Sequence, residues 1–227
     1  PHQKATIPIL SNFLIEAAND ELIITGTDLG ISVRCLVPDV KILEEGATTL
    51  PARRFSQLIR ELTAINVEVT SNEMEITEIV ADSSRFKLNG MKKTEFPSFP
   101  NLSDAIQFKI AQADLKDMLY RTAFAVSRED NRYVLTGVCM HIADGAATFV
   151  GTDGKRLAKT YIKIDLDPTV SGSYIIPLKA VEEIYKNLTE EGDAKVYLMP
   201  DKVAVEASNT IIVTKLLSGD FPDINRV

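Results

Sequence analysis

The chain has 227 residues, 45% of them hydrophobic, with 32 acidic against 25 basic side chains and a formal net charge of −7. That balance argues against an obligate, tight nucleic-acid binder, while leaving room for local basic surfaces. No apolar run approaches the roughly 20 residues of a bilayer-spanning helix, no secretory signal opens the sequence, and Cys35 and Cys139 form no CxxC pair, which fits a reducing cytosol better than a disulfide or zinc framework.

From Ile7 the pattern is that of strands. Phe13 and Ile15 alternate up to a turn at Asn19-Asp20, and Leu22 with Ile24 follow it. Ile31, Val33 and Cys35 form another period-two run. Pro51 then opens a helix through Phe55, Leu58, Ile59 and Leu62, with Pro at the first helical position where its missing N–H costs nothing. Arg53, Arg54 and Arg60 sit on that helix against one acid, Glu61. Strands are expected at Val67/Val69 and Met74/Ile76 around Ser71-Asn72, then at Phe86/Leu88, before a linker from Phe96 to Pro100.

The rest of the chain repeats this grammar. Leu115, Met118, Leu119, Ala123 and Val126 recur at helical spacing from Gln112. Strands are expected at Val138/Met140/Ile142, at Thr148/Val150 beyond an Asp144-Gly145 turn, and through Tyr161, Ile162 and Ile164. A second helix runs from Pro177 through Val181, Ile184, Tyr185 and Leu188. Val196/Leu198 and Val203/Val205 flank Pro200-Asp201, and Ile211 to Leu217 closes the series.

Four landmarks fix the period. Gly26-Thr27-Asp28 returns as Gly151-Thr152-Asp153, Leu10 as Leu135 and Phe96-Pro97 as Phe221-Pro222, each 125 residues on, and Pro51 returns as Pro177 after 126. A period of that length is a whole domain rather than a solenoid or propeller repeat. The reading is therefore two tandem domains, 1–104 and 105–227. Each is α+β, with two helices and about eight short, mostly antiparallel strands and no βαβ alternation. By the same offset, the first unit's counterpart of the Gln112 helix falls before residue 2, so the chain is expected to start after that helix.

Catalytic patterns are missing. Gly151 to Arg156 lacks the spacing of a phosphate loop, and there is no GxSxG or HExxH. His2 lies near the chain start, and His141 reads as a partly exposed strand residue. The acid pairs Glu44/Glu45, Glu182/Glu183 and Glu190/Glu191 are adjacent in sequence and read as solvated surface. Asp153 could serve as a general acid or metal ligand, but its duplicate Asp28 points to a structural Asx turn for both. No catalytic residue, metal or cofactor is expected. Two binding readings stay open: a DNA-associated protein, or a duplicated, non-catalytic peptide-binding scaffold with no role on DNA.

Particular motifs favour the first. GTDGKRLA at Gly151–Ala158, SREDNRYVLTG at Ser127–Gly137 and GDFPDINRV at Gly219–Val227 resemble the bacterial replicative sliding clamp, the β subunit of DNA polymerase III. PIL at Pro8–Leu10, GTDLG at Gly26–Gly30 and LPARRF at Leu50–Phe55 carry the likeness into the first unit. The resemblance implies most of the first domain and all of the second of a three-domain protomer, with the third domain absent from this chain. It further implies a head-to-tail homodimeric ring in the cytoplasm, without membrane association, with helices around a hole that holds duplex DNA.

The partners so implied are double-stranded DNA, the polymerase III catalytic subunit, the clamp loader, and other polymerases, mismatch-repair proteins or ligase. By matching motifs, DNA contacts fall to Lys4, Arg53, Arg128, Glu129 and Tyr133. Glu129 departs from the pattern, since an acid near phosphate repels, and Val134 stands where an aromatic often follows Tyr133. The helix cations Lys116, Arg121, Lys179 and Lys186 share the second unit's helices with Asp114, Asp117, Glu182 and Glu183, so that surface is at best weakly positive. The partner-peptide groove falls to Leu135, Thr152, Gly154, Lys155 (in place of a frequent His), Arg156, Leu157, Pro222, Arg226 and Val227. The dimer interface falls to Leu58, Leu62 and Phe86, flanked by Arg54.

Overall fold

A computed structural model describes residues 7–128 and 132–223. The backbone falls into two compact units, Pro1–Pro100 and Asn101–Val227.

In the first unit, β1 (Asn12–Ala18), β2 (Glu21–Thr27), β3 (Ile31–Val37) and β4 (Gly46–Pro51) form antiparallel neighbours in the order β4-β1-β2-β3. The β1–β2 reversal places Asn19 and Asp20 at φ of 52° and 60°, the left-handed region that Asn and Asp tolerate best. Helix α1 (Ala52–Glu61) follows β4 directly. Pro51 is its N-cap and the last residue of β4, not the first helical residue: its ψ of 107° is still extended. Phe55 packs edge-on against Phe13 at 5.1 Å between ring centroids, yet no α1 residue is fully buried. A second sheet, β5-β6-β7, comprises Glu68–Ser71, Ile76–Ala81 and Ser84–Asn89. The strand expected at Met74 is a turn instead. Asn72 Oδ1 accepts the N–H groups of Met74 and Ile76 at 3.0 and 3.1 Å, which leaves Met74 in solvent.

The second unit opens with β8 (Ile106–Ala111) and α2 (Gln112–Ala123). Next come β9 (Gly137–Ala143), β10 (Ala146–Thr152), β11 (Leu157–Lys163) and β12 (Gly172–Pro177), paired in the order β11-β10-β9-β12. Helix α3 (Leu178–Asn187) again starts after a proline N-cap, Pro177. The strands β13 (Asp193–Leu198), β14 (Lys202–Ala207) and β15 (Thr210–Lys215) pair in the order β15-β14-β13-β8. Leu115, Met118 and Leu119 of α2 and Ala180, Val181 and Ile184 of α3 are buried. The helices touch elements of both sheets, so the core lies between sheet and helix layers. On their outer side Tyr120 stacks on Tyr185 at 6.3 Å.

Among the described residues the first unit has one α-helix and seven strands, and the second has two and eight. The architecture is α+β, as the periodicity predicts. Helix α2 is shorter than its apolar spacing suggests: it ends at Ala123, and the N–H groups of Ala125 and Val126 close turns onto Thr122 and Ala123.

Candidate functional site

The repeated GTD motif is the same object twice, down to its hydrogen bonds. Thr152 Oγ1 accepts the Gly154 N–H at 3.0 Å and donates to the Arg156 carbonyl at 2.6 Å. Thr27 Oγ1 accepts the Leu29 N–H at 3.0 Å and donates to the Ile31 carbonyl at 3.1 Å. Asp153 Oδ1 accepts from Lys155 and Arg156 at 2.9 and 3.0 Å, as Asp28 Oδ1 accepts from Gly30 and Ile31 at 3.0 and 2.7 Å. The residue after the Asp is left-handed in both, Gly154 at φ 83° and Leu29 at φ 71°.

These bonds stabilise the ionised carboxylate. The N–H groups of Lys155 and Arg156 hold the Asp153 carboxyl below its ordinary value, with the Arg156 charge adding to them. Asp153 Oδ2 also takes the Arg156 Nε at 3.0 Å, so both oxygens serve the turn. His141 is an exposed strand residue whose Nδ1 meets Ser173 Oγ at 2.9 Å.

Around the turn, the groove candidates divide by depth. Gly154, Lys155, Arg156 and Pro222 are exposed, and Leu157 is 38% exposed at the start of β11. Thr152, its partner across the ladder, is buried. Leu135 is 0% exposed in a short turn at Tyr133–Thr136, so it offers no surface of its own. Pro222 borders a concavity of about 260 Å³ beside Val150 and Lys159. That pair is the next along the same face of the sheet from Thr152 and Leu157. Arg226 and Val227 lie outside the described residues.

Two participants were not singled out by sequence reasoning. The Arg132 guanidinium lies under Gly154, where a Cβ would come within 2.5 Å of its Nη2, and it donates to the Asp153 carbonyl at 3.4 Å. Phe124, exposed at the end of α2, gives its carbonyl to Arg156 Nη2 at 3.0 Å and its ring to the guanidinium at 5.8 Å. Arg132 stands inside a motif already noted. Phe124 carries no signal, because its carbonyl is the partner.

Of the DNA candidates, Arg53 on α1 and Arg128 and Tyr133 in the loop after α2 are exposed. Lys4 and Glu129 lie outside the described residues. Val134 packs against the cluster of Cys139, Val150, Ile175 and Leu217. Burial pushes the Cys139 thiol up to about 12, which makes it a poor nucleophile. For assembly, Leu58, Leu62 and Phe86 line one concavity of about 480 Å³. Arg54 is exposed on α1 and does not line it.

The fold and its repeated turn define a tandem-domain α+β protein of the DNA-clamp type. Family models match in order: the N-terminal domain of the DNA polymerase III beta subunit over residues 2–100 and its central domain over residues 109–223. The chain belongs to the DNA polymerase III beta subunit family. The beta sliding clamp of Chlamydia pneumoniae is 52% identical over 225 residues, covering 99% of this chain and 61% of that protein. The solved structure of the Bacillus subtilis DNA polymerase sliding clamp superposes with a TM-score of 0.93 at 29% identity, over 99% of this chain and 61% of that one. A Pseudomonas aeruginosa sliding clamp bound to griselimycin gives a TM-score of 0.93 at 29% identity, over 100% and 62%. The chain thus spans about three fifths of the length of these relatives.

Proposed function

We propose that this chain is the first (1–104) and central (105–227) domain of a sliding clamp, a cytoplasmic, non-catalytic subunit that tethers the replicative polymerase to DNA. The observation that carries the reading is the in-order match of both domain models over nearly the whole chain. Two protomers, each completed by a third domain, close head-to-tail around the duplex. Leu58, Leu62 and Phe86, flanked by Arg54, form the first domain's share of the joint. The observation that these three apolar side chains share one concavity supports that role.

Lys4, Arg53, Arg128, Glu129 and Tyr133 face the DNA in this reading. Contacts to phosphate position a protein without reading sequence, which suits a ring that must slide. The groove of Thr152, Gly154, Lys155, Arg156, Leu157, Pro222, Arg226 and Val227, with Leu135 as buried support, receives short apolar motifs of the polymerase, the clamp loader and repair proteins. Exposed Leu157 beside a turn stiffened by Asp153 supports that assignment. Titration of a fluorescent peptide ending in a Leu-Phe pair tests it. Binding weakened by Leu157→Ala in a domain that stays folded supports the groove, and equal affinity for both proteins contradicts it.

A further inference from the structure

The cations of the two units are held in different ways. On α1, Arg53, Arg54 and Arg60 are exposed, and among the described residues none of them forms an ion pair. On α2, Lys116 Nζ lies 2.5 Å from Glu190 Oε1 and Arg121 Nε 2.6 Å from Asp117 Oδ2. On α3, Lys186 Nζ lies 2.9 Å from Glu183 Oε1, and Lys179 is engaged as well. The acids are the more solvent-facing partner only for Lys116, whose ammonium also sits 5.7 Å from the Tyr185 ring. Hydrogen bonds donated to their carboxylate partners hold Lys116, Arg121 and Lys186 more firmly protonated.

We infer that Asp117, Glu183 and Glu190 are built-in counterions, which compete with DNA phosphates for Lys116, Arg121 and Lys186 and keep the second unit's helix surface a weak track. The inference rests on the clamp reading above. Exposed ion pairs are loosely held and can exchange partners. A free cation that meets a phosphate releases the small ions condensed there, which is the source of affinity and of its salt dependence. A cation already paired must first give up its carboxylate, which then draws in a solution cation. Release and uptake largely cancel. The three arginines of α1 face no such competition, so they supply the net attraction while α2 and α3 touch the duplex by exchange.

The test is anisotropy of a fluorescent duplex between 50 and 200 mM salt with the protein and four variants. Asp117→Asn/Glu183→Gln/Glu190→Gln should bind about tenfold more tightly at low salt, with a salt slope steeper by up to about 2.7, roughly 0.9 for each freed cation. Adding Lys116→Gln, Arg121→Gln and Lys186→Gln to that variant should return the slope to its starting value. Glu21→Gln/Glu44→Gln/Glu73→Gln makes the same change in net charge on the first unit and should have little effect. Equal gains in the two acid-neutralised proteins, or no gain in either, would overturn the inference. Arg53→Gln/Arg54→Gln/Arg60→Gln separates this failure from that of the clamp reading. If it weakens binding while the acid variant changes nothing, DNA binding stands and the counterion role falls. If it too changes nothing, the clamp reading falls with it.

Discussion

Asp153 holds Arg156 at two points: Oδ1 accepts its backbone N–H at 3.0 Å and Oδ2 accepts its Nε at 3.0 Å. One carboxylate thereby shapes the turn and aims the guanidinium, whose Nη2 reaches the Phe124 carbonyl. The Asp153 carboxyl is held below its ordinary value. Its contribution is therefore present above the unfolded carboxylate value of roughly 3.9 and fades as pH falls through the lower folded value. Amide NMR shifts of Lys155 and Arg156 should stay constant from pH 7 to about 5 and move only below about 4. A transition centred near pH 6 would contradict the assignment. Asp153→Asn, which keeps an acceptor oxygen, should perturb the turn less than Asp153→Ala.

Gly151 and Gly26 occupy the same place in the duplicated motif but should respond differently to Ala. A Cβ on Gly151 would stand 2.1 Å from the Thr122 carbonyl oxygen, in the backbone of α2, whereas one on Gly26 meets nothing within 4 Å. Overpacking against backbone costs typically 1–3 kcal/mol or more. Gly151→Ala should lower the unfolding free energy measured in urea by that order, and Gly26→Ala should leave stability within about 1 kcal/mol of the parent. Equal losses would show that the motif, not the packing of α2, demands the glycine.

Leu135 and Leu157 separate stability from binding. Leu135 is fully buried and Leu157 is not. Leu135→Ala should cost about 2–5 kcal/mol of unfolding free energy. Leu157→Ala should cost well under half of that, about 1 kcal/mol, while losing peptide affinity by about tenfold. Chemical denaturation and peptide titration on both variants check the split.

Under the proposed head-to-tail ring, Phe86→Glu and Leu58→Glu should each leave full-length protein monomeric in sedimentation experiments. Each apolar side chain buried at the joint is worth roughly 1.5–3 kcal/mol, and a charge there adds desolvation cost. A dimer that survives both substitutions would place the joint elsewhere.

The repeat, the helices and the Asx role of Asp28 and Asp153 were legible because they rest on local chemistry: turn residues, apolar period and proline. Strand β4 was not. Its buried centre is Thr48 and Thr49, polar residues satisfied by Glu75, Asn12 and Met91 from distant parts of the first unit. Strand β8 could have been found, since Phe108 and Ile110 are buried between exposed Gln107 and Lys109. The proline shift by one position followed from reading Pro51 and Pro177 as helix openers only, when each also ends a strand. Among the groove candidates, residue types were readable but depth was not. Leu135 and Leu157 look alike in sequence, and only the fold distinguishes them.

Retention on circular DNA tests the clamp reading most directly. Full-length protein assembled by its loader on nicked circular duplex should co-elute with the circle through high salt, because topology rather than ion pairing holds it. Cutting the circle once should release it by sliding off the ends. Protein that leaves the uncut circle as salt rises, or stays bound after the cut, would contradict an encircling clamp.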